Sequence, residues 1–255
     1  DENLAYTSNF GSYNEMTLNP VGPEFTDGRL NPFSNPKIRE ALNWLIDRDY
    51  VVQEIAGGLG VPKLLPVNAN FPDAARYVAK VRELQAKYAY NPELANETIT
   101  AEMEGMGAEL VDGKWQYNGA PVTIIMIIRT EDSRTQIGDY VANQLETVGL
   151  TVDRQYKTRT EASPIWVGSD PAEGQWHMYT GGWITQIIDR DASEDFAFFY
   201  LPYDYPIPLH QAYTPSAEYD EVALKLRNND VQTLEERREV FVQALKLTMQ
   251  DSGRV

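Results

Sequence analysis

Few side chains in this chain carry reactive chemistry, and their spacing limits what they can do. His177 and His210 are the two histidines. Neither stands at metal-ligand spacing from the other, and no H-E-x-x-H helix occurs, so each reads as a surface or hydrogen-bonded histidine. Cysteine is absent, which excludes disulfides and thiolate metal sites and suits an oxidising compartment. Asp189, Asp191 and Ser193 imitate the start of a calcium loop. Glu194, however, stands where that loop needs glycine, and Tyr200 where it needs the bidentate glutamate. Gly57-Gly58-Leu59-Gly60 follows a helix rather than a strand, so it lacks the geometry of a phosphate cradle. No nucleophile elbow, P-loop or dinucleotide fingerprint is present, and no cofactor or metal is expected. A carboxylate pair for glycoside hydrolysis stays open, because nothing selects which acidic residues meet.

Aromatic side chains near loops are the more informative set. Tyr13, Trp166, Trp176, Trp183, Tyr200, Tyr203 and Tyr205 lie at or beside predicted strand ends and turns. Such rings either pack the core and anchor loops, or line a cleft where a solute stacks without chemistry.

Those rings need a scaffold, and the pattern of apolar residues supplies one. Asn35 as N-cap and Pro36 at the first helical position begin a helix whose Ile38, Ala41, Leu42, Leu45 and Ile46 form one face. Asp47 caps a second short helix with Val51, Val52 and Ile55, which Gly57 and Gly58 end. Arg39 and Asp47 read as residues that fix helix ends. Further helices are predicted over Asp73–Lys87, with Asp73 as N-cap and Val78, Val81 and Leu84 as its face, and over Pro92–Met106. Glu109–Gln116 reads as extended, and Asn118-Gly119 marks a hairpin before the apolar run Val122–Ile128. Ser133 is the expected cap of a helix carrying Ile137, Val141, Leu145 and Val148. Strands follow at Leu150–Tyr156 and His177–Gly182, with a short helix over Thr158–Gly168. Val122 to Gly182 therefore reads β-α-β-α-β, a sheet with helices on its faces. Phe10–Asn14 reads as a turn and Leu201–Pro215 as an irregular loop. Two more helices are expected, Ser216–Asn228 and the longer Thr233–Gln250 with a Thr233–Glu236 capping box.

Composition narrows the partners. With 42% hydrophobic and 24% charged residues, the 255-residue chain can bury a sizeable core as one large domain or two small ones. A net charge of -16 repels nucleic acid and acidic membrane surfaces, so neither is an expected partner. No apolar run is long enough to span a bilayer, and the first residues carry no signal-peptide pattern. The abrupt Ser252–Val255 ending after a strong helix reads as a cut, so an internal piece of a longer protein is expected.

The wording of one stretch is distinctive. Residues 35–62 read NPKIREALNWLIDRDYVVQEIAGGLGVP. With Asn19 ahead of it, this stretch resembles the signature of family 5 extracellular solute-binding proteins, the peptide, dipeptide and nickel receptors of ABC importers. Tyr90-Asn91-Pro92-Glu93-Leu94-Ala95, the segment Gln144-Leu145 to Leu150-Thr151-Val152, and the segment Gly174 to Trp183 resemble later motifs of the family in the same order. The resemblance implies an α/β fold, one lobe of a periplasmic-binding-protein-like architecture (type II, cluster C) with a mixed β-sheet flanked by helices. It implies that residues 1–255 are a single domain, the second lobe inserted into a first lobe that this chain does not show. A non-catalytic role follows, with solute captured between two lobes and delivered to ABC permease subunits in a periplasmic or extracellular setting, tethered to the membrane in the full-length protein. Residues after Gly-Trp line the cleft in this family, and an aspartate three positions past the tryptophan pairs with a peptide's amino terminus. Here the matching tryptophan is Trp183 and the matching position is Gln186, which cannot form that ion pair. Tyr13, Trp183, Thr185, Gln186 and Asp189 are the expected ligand-binding residues. Peptides, oligosaccharides and metal chelates remain open as ligands. The alternatives are a carbohydrate-active hydrolase using acidic residues beside aromatic platforms, and a non-catalytic acidic interaction module.

Overall fold

Cap chemistry and apolar spacing explain most of the elements in the computed structural model, which describes residues 12–64, 66, 72–183 and 193–255. The Asn35 side chain accepts the Lys37 amide at 2.8 Å and opens helix α1, Pro36–Leu45. Its predicted face, Ile38, Ala41, Leu42, Leu45 and the following Ile46, is buried. The Asp47 carboxylate accepts the Asp49 and Tyr50 amides and caps α2, Arg48–Tyr50, which continues as one π-helical turn over Val51–Ile55.

In chain order the other elements are strand β1 (Tyr13–Leu18), helices α3 (Pro72–Arg76), α4 (Val78–Lys87) and α5 (Pro92–Gly105), and strands β2 (Glu109–Val111), β3 (Lys114–Tyr117), β4 (Ala120–Pro121) and β5 (Thr123–Arg129). Helix α6 (Arg134–Thr147), β6 (Thr151–Lys157), α7 (Arg159–Trp166) and β7 (Met178–Trp183) come next, then α8 (Asp195–Phe198), α9 (Pro208–Ala212), α10 (Ala217–Arg227) and α11 (Leu234–Asp251). Among the described residues, no helix is long and apolar enough to cross a membrane.

The main sheet has the order β1-β7-β5-β6, with β5 parallel to β6 and β7, and β1 antiparallel to β7. Its centre is the expected β-α-β-α-β unit. Strand β5 is buried on both faces, as a central parallel strand must be. Ile124, Met126 and Ile128 join the large core with α1, α6 and α11, while Ile127 joins a smaller core with Ala162, Trp166 and Tyr179. Gly138 lets α6 approach closely, since a Cβ there would stand 2.8 Å from the Ile128 side chain. On the free edge of β1, Met16 and Val255 exchange both main-chain hydrogen bonds, at 2.7 and 3.0 Å.

Several local readings need correction. The predicted Asp73–Lys87 helix is divided at Tyr77, and Val78 is exposed. The buried spacing is instead Tyr77, Leu84 and Tyr88, with Val81 packed against it, because Tyr77 stacks on Phe241 with ring centroids 4.0 Å apart. Glu109–Gln116 is a hairpin in its own right, turning at Asp112-Gly113, where both residues have positive φ. Asn118-Gly119 then joins β3 to the short β4 in the same three-stranded sheet, and β5 belongs to the other sheet. Ser133 sits at the cap position of α6 without a side-chain cap bond, and the Asp132 carboxylate accepts the Arg134 amide instead, at 3.0 Å. Tyr13 and Asn14 are strand rather than turn, because they pair with Trp183 and Gly182. Pro208 starts a helix inside the loop read as irregular. Of the two readings for the histidines, the hydrogen-bonded one holds and the surface one does not. Both are buried, and each uses Nδ1: His177 accepts the Ile125 amide at 3.0 Å, and His210 faces the Tyr205 carbonyl at 2.8 Å.

Helix α5 offers a direct test of the capping account. Its Asn91 side chain accepts the Leu94 amide at 3.1 Å. Asn91→Ala is expected to cost about 0.5–2 kcal/mol, read as a lower urea midpoint, and Asn91→Asp is expected to keep the bond.

Candidate ligand cleft

Parallel strands place their loops at one edge, and the crevice beyond their carboxyl ends is where open α/β sheets bind ligands. Here that edge carries Arg129 at the end of β5 and Trp183 at the end of β7. A cleft of about 560 Å³ opens there, floored by Thr17, Tyr179 and Gly181 and walled by Arg159, Ser163 and Trp166 of α7. Tyr13, Arg134, Trp183 and Tyr205 complete its rim.

Each wall is held from below. The Arg129 guanidinium donates to the Tyr179 hydroxyl at 3.0 Å and to Glu131 at 2.7 Å. Glu131 also accepts the Arg159 amide at 2.6 Å, so a carboxylate ties the β5 loop to the positive amino end of α7. The Arg129 bond holds the Glu131 carboxyl down at about 2. Asp132 is gripped twice by Arg134, at 2.8 and 2.6 Å, and its carboxyl likewise lies below the usual range because of that bond. Trp166 stacks on Tyr179 with centroids 4.6 Å apart. Its indole N–H is buried and has no partner among the described residues.

Trp183 stands between two environments. Its ring packs edge-on against Phe199 at 4.9 Å and Tyr205 at 6.0 Å, while its indole N–H donates to Glu15 at 2.9 Å. Glu15, almost buried, also takes the Thr17 hydroxyl at 3.1 Å and pairs with the Arg254 guanidinium. Gly181 and Gly182 before the tryptophan have a steric reason. A Cβ at 181 would meet Thr17 Oγ1 at 3.0 Å and Glu15 Oε1 at 3.1 Å, and one at 182 would meet Arg134 Nη1 at 2.9 Å.

The two expected site residues within the described set, Tyr13 and Trp183, are brought together: they sit directly opposite in the β1–β7 ladder. Thr185, Gln186 and Asp189 lie outside the described residues. Of the other aromatics, Trp166 and Tyr205 line the cleft, whereas Trp176 is wholly buried and Tyr203 bonds Asp220 at 2.9 Å away from it. Tyr200 is buried and lies outside the cleft lining. Of the calcium-like run, Ser193 is described, and no group of three or more His, Cys, Asp or Glu side chains among the described residues is arranged to hold a metal ion. The arginines of the cleft escaped sequence reasoning. Their one signal was position: Arg129 ends an apolar parallel strand, and Arg159 opens the next helix.

A profile of bacterial extracellular solute-binding proteins, family 5 Middle, matches residues 5–203. Comparison with curated protein sequences finds no match. Among solved structures, the chain is similar to the oligopeptide-binding protein AppA of Bacillus subtilis, in complex with a nonapeptide. The identity is 16% and the TM-score 0.68, over 97% of this chain and 44% of that one. A periplasmic oligopeptide-binding protein of Thermotoga maritima with bound mannohexaose aligns at 17% identity and TM-score 0.71, over 95% of this chain and 43% of that one. NikZ of Campylobacter jejuni, with Ni(L-His), aligns at 16% and 0.65, over 96% and 44%. The chain thus spans less than half the length of these three proteins, and at such identities the likeness is one of fold: the mixed sheet flanked by helices is that of periplasmic binding proteins. With most of its length matched by one family profile and its fold shared with these structures, the chain belongs to the bacterial extracellular solute-binding proteins of family 5.

Proposed function

We propose that this chain is one lobe of the solute-capturing receptor of an ABC importer, and that the cleft beyond β5 and β7 is its half of the ligand site. The observation that carries this reading is the cleft itself. It gathers aromatic faces and arginines at the edge where α/β lobes meet their ligands. Its lining includes one carboxylate among the described residues, Asp132, and Arg134 holds it. That chemistry suits holding a solute rather than transforming it.

Thr185, Gln186 and Asp189 complete the proposed wall. Gln186 supplies an amide where an ion pair to a peptide amino terminus is implied, so the ligand is one recognised without that pair. The nonapeptide, mannohexaose and Ni(L-His) bound by the three relatives define the panel to compare. In the whole receptor, the partners are the other lobe and the permease, and the setting is periplasmic or extracellular with a membrane tether.

Denaturing the purified receptor and identifying released small molecules by mass spectrometry tests the reading. One dominant solute near equimolar amount is expected. A receptor that carries no solute and binds none of the three panel ligands would contradict it. The isolated lobe is expected to bind the released solute weakly or not at all, because half of the cleft belongs elsewhere.

A further inference from the structure

On the other face of β1 lies a second chamber of different character. It holds about 280 Å³, and Ile46, Val51, Val52, Leu59, Ile137 and Val141 give it an apolar wall. Near the start of β1 it adjoins a smaller cavity of about 40 Å³, and the two share Tyr13, Asn14, Glu15, Arg48, Lys63 and Val255. With the cleft described above, the larger chamber shares only Ser12, Tyr13 and Asn14 among the described residues.

The small cavity is rich in cationic donors. Arg48, Lys63 and Arg254 line it against one side-chain carboxylate, Glu15. Arg48 is engaged by the Asn43 carbonyl and side chain, at 3.2 and 2.8 Å. Lys63 holds its ammonium 3.2 Å above the centre of the Tyr13 ring and has no ion-pair partner among the described residues. Burial lowers its amine to about 8, with the Glu15 and Asp195 carboxylates acting in the opposite direction. The Arg254 side chain is 6% exposed; Nε donates to the Phe199 carbonyl at 3.0 Å and Nη1 pairs with Glu15. Its Nη2 is buried with no partner among the described residues. Glu15 does not fill that gap, because it meets Arg254 through Nη1, and its Oε1 also receives Trp183 and Thr17.

A buried guanidinium N–H without an acceptor, beside a lysine whose closest partner is a ring face, asks for an anionic oxygen. The apolar chamber next to it asks for hydrocarbon. We infer that the two cavities together bind a small aliphatic monocarboxylate, with its carboxylate between Lys63 Nζ and Arg254 Nη2 and its chain in the apolar chamber. The headgroup supplies the missing acceptor, and the tail displaces water from the walls of α6 and the turn after α2.

Calorimetric titration of the purified protein with sodium octanoate, 1-octanol and octylamine separates headgroup from tail. Octanoate is expected to bind at least about tenfold more tightly than octanol, and octylamine not to compete. Lys63→Met, with Lys63→Gln as the second variant, is expected to weaken octanoate by about tenfold or more while leaving octanol binding and the unliganded melting temperature unchanged. Arg159→Ala, in the separate cleft, is expected to leave octanoate binding as it is. Equal affinity for octanoate and octanol, no octanoate binding, or affinity indifferent to Lys63 would overturn the inference. Loss of octanoate binding in Arg159→Ala would overturn it too, by assigning the fatty anion to the cleft.

Discussion

Replacing Arg39 by methionine is expected to lower the unfolding free energy by about 3–5 kcal/mol, because it removes one partner of a buried ion pair and leaves the other. Arg39 is wholly buried at the edge of the apolar face of α1. Its guanidinium donates to the Phe33 carbonyl at 2.7 Å, the Tyr213 hydroxyl at 2.6 Å, and both the carbonyl and the carboxylate of Asp251 at 2.8 and 2.7 Å. One side chain therefore ties the start of α1 to the end of α11 and to the loop after α9. Asp251 keeps the Tyr213 hydroxyl at 2.6 Å and the Gly253 amide at 3.1 Å in the variant, which favours the lower end of that range. Arg39→Lys is expected to be damaging as well, since one ammonium cannot span the same acceptors. Urea unfolding reads both, and a Met variant within about 0.5 kcal/mol of the parent would show that the pair is dispensable.

Acid is expected to weaken the fold well before its carboxylates titrate. Burial pushes the His177 imidazole down to about 3 and that of His210 to about 4, from 6.5. Both folded-state values are depressed, so below pH 6.5 the unfolded chain takes up protons that the folded chain refuses. Stability is full above about pH 6.5 and falls as pH drops towards 4. At pH 5 each histidine accounts for a loss of about 2 kcal/mol relative to neutral pH. The geometry gives the same sign for His177, whose Nδ1 must stay unprotonated to accept the Ile125 amide. Glu131, held at about 2, contributes to stability above its ordinary range and loses that contribution only at lower pH, outside this window. Urea midpoints from pH 7 to pH 5 check this. His177→Gln is expected to be weaker at pH 7 but to show a shallower pH slope, and a parent protein with no slope would refute the assignment.

The scaffold was legible because its signals are local. Asn35 and Asp47 cap the helices that follow them, and the faces of α1 and α6 are buried as their spacing requires. Where the reading failed, a distant partner had intervened. Tyr77 breaks a helix to stack on Phe241, and Arg39, read as fixing a helix end, is instead buried against Asp251 from the far end of the chain. The site was half legible. Trp183 and Tyr13 were expected from wording and are paired in the ladder, but Arg129, Arg159 and Tyr179 converge only through the crossover connections. Their roles rest on strand order, which no local pattern encodes.

The affinity of the receptor's own released solute for the parent protein and for Arg159→Ala and Trp183→Phe is the most direct test of the cleft. Arg159→Ala removes an exposed guanidinium from the rim, and Trp183→Phe keeps a ring while deleting the indole N–H that anchors to Glu15. Each is expected to weaken binding by about tenfold, with the unliganded melting temperature of Arg159→Ala unchanged. Full affinity in both variants would place the solute elsewhere and contradict the account.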